Sequence, residues 1–167
     1  MTAVDAGPTF DQRPPEGFAA SGGQLYLLLN ERFWSFATIG ETWVDLTDSA
    51  NDEGTEAGME TWKRRAAPML DVSGELVIMH GHYLNGQGAR LFVTDVRKFT
   101  AASTTWKPLC IDGAGVVGGT APPALVGGSA MFLAASSRMY VFGGKAPDPF
   151  GGLRGFRCLG YPRVLWT

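Results

Sequence analysis

Apolar residues in this chain gather in short runs divided by Gly, Ser, Asn, Asp and Pro, and they do not recur at helical spacing. The runs at 24–29, 32–39, 75–79, 90–99, 130–134 and 138–142 are rich in aromatic and branched side chains, and turn-forming residues bound each of them. They predict strands. One short helix is predicted over 56–65, where Glu56, Glu60, Lys63 and Arg64 stand at spacings that allow charge pairs. Residues 1–13 predict a flexible tail, and 47–58, acidic and almost free of large apolar groups, predict a long loop. An all-β fold follows.

The pattern repeats. Gln24-Leu25-Tyr26-Leu27-Leu28, Glu75-Leu76-Val77-Ile78-Met79 and Arg138-Met139-Tyr140-Val141-Phe142 each place a polar residue before four apolar ones. Downstream of these runs stand Trp43, Trp106 and Trp166, successively 63 and 60 residues apart. The first two share the frame Thr-Trp-x-x-Leu, with Phe36 or Phe99 seven residues earlier. The third unit carries the clearest diglycine, Gly143-Gly144, directly after its apolar run; the corresponding places are Leu29-Asn30 and His80-Gly81.

On these residues the chain resembles the kelch repeat family, whose units carry an apolar strand ending in a diglycine and then an aromatic residue some seven positions before a tryptophan. The resemblance covers 14–167 and implies kelch-like β-propeller blades, each a four-stranded antiparallel sheet, at about 14–46, 68–109 and 123–167. It assigns Phe36, Trp43, Phe99, Trp106, Gly143, Gly144 and Trp166 to structure. The aromatic residues fill the wedge between blades, and the glycines let a strand turn where a Cβ would clash. The rival all-β arrangement, an ordinary sandwich, would bring Trp43 and Trp106 into one common core.

Charge narrows the partners. Lys+Arg 14 against Asp+Glu 16 leaves no positive excess to neutralise phosphates, which argues against nucleic acid. No apolar stretch reaches the roughly 20 residues that cross a bilayer, so membrane insertion is not expected. The N-terminal residues carry no basic flank followed by an apolar run, and a cytoplasmic location is expected. Cys110 and Cys158 lack the close pairing of a zinc or redox motif and read as ordinary thiols. Lys63-Arg64-Arg65, next to an acidic loop, reads as a solvated face.

Candidate chemistry is sparse. His80 and His82, two apart in a strand, would point to one side and could share a metal, which gives the alternative of a metal-dependent propeller-type oxidase or lyase. Gly113-Ala114-Gly115-Val116-Val117-Gly118 has dinucleotide-loop spacing, but Pro122 and Pro123 follow where a helix should begin, so it reads as a linker. Ser129 lacks the glycine two residues on that a nucleophile elbow needs. No acid, base and nucleophile set is left over, and no cofactor is expected.

The expected function is a protein–protein interaction module or structural subunit, part of a larger chain or assembly. Its contacts would come from loops 81–89 and 144–155, through Tyr83, Leu84, Pro147, Pro149 and Phe150. Closed propellers use about 4–8 blades. Three blades leave two open flanks, so a protein partner, a second copy or further residues of a longer product are expected to complete the ring.

Overall fold

The structure is a computed structural model and describes residues 7–9, 14–54, 59–110, 126–136, 138–147, 153–155 and 163–164. Sheet 1 is a meander of β1 (Gly17–Ser21), β2 (Gln24–Leu29), β3 (Arg32–Ala37) and β4 (Thr42–Asp45), paired antiparallel in chain order. Two-residue turns with left-handed backbone make this possible. Gly22 and Gly23 join β1 to β2 at φ 58° and 77°, and Asn30 and Glu31 join β2 to β3 at 52° and 60°. That backbone matches the twist of the strands it connects.

Sheet 2 repeats the meander with β6 (Met69–Val72), β7 (Glu75–Met79), β10 (Val96–Thr100) and β11 (Thr105–Cys110). Ser73 and Gly74 make its first turn at φ 55° and 89°. It carries two additions. The short β5 (Asn51–Asp52) pairs parallel with the outer strand β11, and β8 (His82–Leu84) with β9 (Arg90–Phe92) forms a separate hairpin between its second and third strands. Sheet 3 contains β12 (Val126–Leu133) and β13 (Arg138–Pro147), with β14 (Leu153–Gly155) and β15 (Arg163–Val164) both paired to β13. The first two sheets thus meet the expectation of four-stranded antiparallel units. The third is also four-stranded and antiparallel, but β14 and β15 both pair with β13 instead of continuing a meander.

Several expectations need correction. The run 90–99 is two strands, because 90–92 folds back on β8 before 96–100 joins β7. Among the described residues of 56–65 only a 3-10 turn, Thr61–Lys63, forms; after it Arg64 leaves in extended conformation and turns inward. Lys63 does pair with Glu60 at 2.8 Å. The 47–58 segment is tied down where described: Asn51 N donates to Thr104 O at 2.9 Å and Glu53 N to Trp106 O at 3.0 Å. Within 1–13, Pro8 is buried and Gly7 lies against the Trp43 ring. In the first unit the two positive-φ residues that follow the apolar run are Asn30 and Glu31, one place later than the diglycine pattern puts them, since Leu29 still pairs with Arg32. His80-Gly81 and Gly143-Gly144 both have positive φ, as that pattern requires.

The three first strands lie side by side, β1 against β6 and β6 against β12. Ala67 N donates to Glu16 O at 3.2 Å and Gly127 N to Ala66 O at 2.9 Å, linking consecutive sheets at this end. Gly17 sits so close to Met69 that a Cβ would meet its sulfur at 2.5 Å.

The alternation of side chains gives each sheet two apolar faces. Tyr26, Leu28 and Phe33, on what we term face A of sheet 1, pack on Leu76, Ile78, Phe99 and Trp106, on face B of sheet 2. Phe33 meets Phe99 edge-on at 4.9 Å and Trp106 at 5.2 Å. Face A of sheet 2, with Val77, Met79 and Val96, packs in turn on Met139 and Val141 of sheet 3. Phe36 pairs across strands with Trp43 in sheet 1 at 4.9 Å, and Phe99 with Trp106 in sheet 2 at 5.1 Å. Trp43 belongs to a cluster with Leu27, Leu29 and Trp34, separate from the one holding Trp106. Among the described residues the common core of a sandwich is therefore absent, and the two tryptophans occupy matched places in successive sheets.

Candidate functional site

The densest group of polar side chains lies at the base of the β8–β9 hairpin. Arg64, carried inward after the 3-10 turn, is fully buried, which corrects the reading of Lys63-Arg64-Arg65 as a solvated face. Its Nη2 donates to Asp95 Oδ2 at 2.6 Å and its Nε to the Tyr83 hydroxyl at 3.0 Å. The guanidinium also lies 5.7 Å from the centre of the Tyr83 ring. Burial works against this charge, but Tyr83 and Asp95 outweigh it, so Arg64 keeps its proton more firmly than usual. Burial raises the Tyr83 hydroxyl above its ordinary range, with Arg64 opposing.

A second buried cation extends the network. Arg97, on β10, pairs with Asp52 of β5 at 2.6 Å, and its Nη1 reaches Asp95 at 3.5 Å. The Asp52 carboxylate also accepts from Thr61 N, and Arg97 donates to Glu53 O. Two guanidiniums thus face two carboxylates, and removing any member would leave a buried charge uncompensated. The network fastens the connection between sheets 1 and 2, and the hairpin, to the body of sheet 2.

His80 stands at the edge of this group. It directly follows β7 with φ 53°, it is buried, and neither ring nitrogen has a hydrogen-bond partner among the described residues. Burial first, then repulsion from Arg64, pushes its pKa down to about 4, with Asp95 opposing. His82 is also lowered, by burial and then by Arg90 and Arg65. The expected shared strand side for the two histidines is not found, because the left-handed His80-Gly81 pair breaks the extended run before β8 starts. Among the described residues no group of three or more His, Cys, Asp or Glu converges as metal ligands would.

The expected contact residues divide. Tyr83 is buried and engaged with Arg64, so it does not offer the loop contact expected of it. Leu84 is exposed, as is Leu91, which pairs with Tyr83 across the hairpin. The hairpin tip is well built: Asn85 N donates to Ala89 O at 2.9 Å, and Asn85 Oδ1 accepts from Gln87 N and Ala89 N at 3.0 and 2.8 Å. Pro147 ends β13, whereas Pro149, Phe150, Trp166, Cys158 and the glycine run 113–118 lie outside the described residues. Arg97 and Asp52 were missed by sequence reasoning and Arg64 was misread, because partners 31 and 45 residues apart leave no local pattern.

No helix among the described residues is long and apolar enough to cross a membrane. No protein-family model matches the chain, and no curated protein matches it. Among solved structures, that of YjhT is similar, with TM-score 0.58 and 20% identity over 83% of this chain. At that identity the likeness speaks to the fold alone. The chain spans 37% of the length of the YjhT chain it matches.

Proposed function

We propose that this chain is a protein-interaction module or structural subunit built on kelch-like propeller blades, an arc of a ring that other blades complete. The observation that carries the reading is the pair of matched aromatic couples, Phe36–Trp43 and Phe99–Trp106, each joined across the last two strands of its meander. Such couples act as wedges between neighbouring sheets, and packing accounts for them without a ligand. The polar network supports a non-catalytic role in the same way. Its charges are paired with one another and with backbone groups inside the fold.

The contact element in this reading is the β8–β9 hairpin, a rigid arm that presents Leu84 and Leu91 to solvent while Arg64 and Tyr83 brace its base. The test compares the wild type with a Leu84→Asp, Leu91→Asp double variant, both immobilised and exposed to extract of the source cells. A protein retained in stoichiometric amount by the wild type and lost by the variant supports the reading. Equal retention by both, or retention of none, overturns the assignment of the hairpin.

A further inference from the structure

The β8–β9 hairpin is a sheet of two strands, so each strand has one edge that the other does not cover. In an antiparallel pair, successive residues alternate between turning their backbone groups to the partner strand and turning them away. The bonds from Val93 N to Gly81 O at 3.2 Å and from Asn85 N to Ala89 O at 2.9 Å fix that alternation, and make Tyr83–Leu91 the bonded pair between them. His82, Leu84, Arg90 and Phe92 therefore direct their N–H and C=O groups outward. On the β8 side the outward groups of His82 are engaged: its N donates to Arg65 O at 3.2 Å, and its O accepts from Arg65 N at 2.9 Å. On the β9 side Arg90 and Phe92 have no such neighbour among the described residues. One edge of the hairpin is fastened to the fold, and the opposite edge is an unpaired ladder.

We infer that the outer edge of β9 binds an extended acidic and apolar segment of a partner protein as a third, antiparallel strand, bonded through the N–H and C=O groups of Arg90 and Phe92. The inference rests on reading the hairpin as the contact element. A free ladder of backbone groups is what an extended peptide binds by strand addition, with its side chains read alternately on the two faces. Arg90 is exposed, and among the described residues no carboxylate pairs with it, whereas Arg65 at the fastened edge is paired with Glu31 at 2.9 Å. Arg90 and Phe92 share one face with Leu84, and Leu91, also exposed, stands on the other. The side chains directly opposite set the sequence of the added strand. In chain order it carries an apolar residue facing Phe92, an apolar residue beside Leu91, and Asp or Glu facing Arg90. The backbone bonds supply affinity, and Arg90 supplies selectivity by repelling a basic segment.

A display library of random short peptides, panned on the immobilised full chain, tests this. The wild type is expected to enrich peptides with two apolar residues followed by Asp or Glu, and Arg90→Glu to enrich the same apolar pair followed by Lys or Arg. A selected peptide is expected to slow hydrogen exchange at the Arg90 and Phe92 amides of the wild type. It should bind Phe92→Pro roughly tenfold more weakly, because proline removes one outward N–H while the Tyr83–Leu91 bonds stay in place. Exchange protection at the Tyr83 and Leu91 amides of Phe92→Pro checks that the hairpin is intact; the charge reversal and the exchange map decide the matter without that variant. No enrichment, enrichment whose charge ignores the reversal at Arg90, or a bound peptide that leaves the Arg90 and Phe92 amides unprotected each overturns the inference. A partner from cell extract that Phe92→Pro retains as well as the wild type, but that the Leu84→Asp, Leu91→Asp variant loses, overturns strand addition and leaves the hairpin as the contact element.

Discussion

Lowering the pH from 7 to 4.5 is expected to cost the folded chain roughly 2 kcal/mol through His80 alone. The folded chain holds this imidazole neutral, with a pKa of about 4, while in the unfolded chain it returns to about 6.5. Between those values the unfolded state binds a proton that the folded state refuses, so stability is full above the unfolded pKa and falls as the pH drops towards 4. Against a typical total of about 5–15 kcal/mol, that loss is large enough to move a urea midpoint visibly. The assay is urea unfolding followed by tryptophan fluorescence at several pH values, for the wild type and for His80→Asn. Asparagine tolerates the left-handed backbone at this position and does not titrate. Carboxylates and His82 titrate in both proteins, so the difference between the two pH profiles isolates His80. Profiles that run parallel from pH 7 to 4.5 would refute the reasoning.

Three further substitutions probe other parts of the fold. Glu31→Gly should stabilise the chain by about 0.5–1 kcal/mol, because Asn-Gly suits the β2–β3 turn and the Arg65 pair it removes is exposed; thermal melting would show it. Gly81→Ala should destabilise by roughly 3 kcal/mol, since φ is 93° and the new Cβ would stand 2.9 Å from both Ala67 Cβ and Arg65 O, as chemical denaturation would record. Arg64→Met should cost about 3–5 kcal/mol by leaving Asp95 short of its closest cation, and hydrogen exchange should then quicken in the β8–β9 hairpin ahead of sheet 1.

What could be read from the sequence was set by how far each interaction reaches along the chain. The strands of each meander, their two-residue turns and the Phe-to-Trp spacing are local, so their pattern survives in the order of residues; Phe99 and Trp106 face each other across a single hairpin. The hairpin β8–β9 was hidden because 90–99 is continuous in composition, and only the backbone bonding of Arg65 to His82 and of Val93 to Gly81 breaks it. Arg64 was misread for a related reason. Within Lys63-Arg64-Arg65 the three cations look alike, and what selects the middle one is Asp95, placed opposite it by the folding of sheet 2. Tyr83 followed Arg64 inward, while Leu84 stays exposed as expected of a contact residue.

The parallel attachment of β5 to β11 bears on the order of events in folding. The meanders close mostly short loops, the stretch 80–95 between β7 and β10 being the exception, and so form largely locally, whereas Asn51 and Asp52 have no seat until β11 exists more than fifty residues later. The connection between the first two sheets should therefore lock last, after both have condensed, like a clasp on parts already assembled. Weakening it with Asp52→Asn should leave the refolding rate nearly unchanged and accelerate unfolding, placing Asp52 among positions whose contacts are absent from the transition state. The Asp52–Arg97 pair would then govern how long the folded chain lasts once formed, with little say in how quickly it forms.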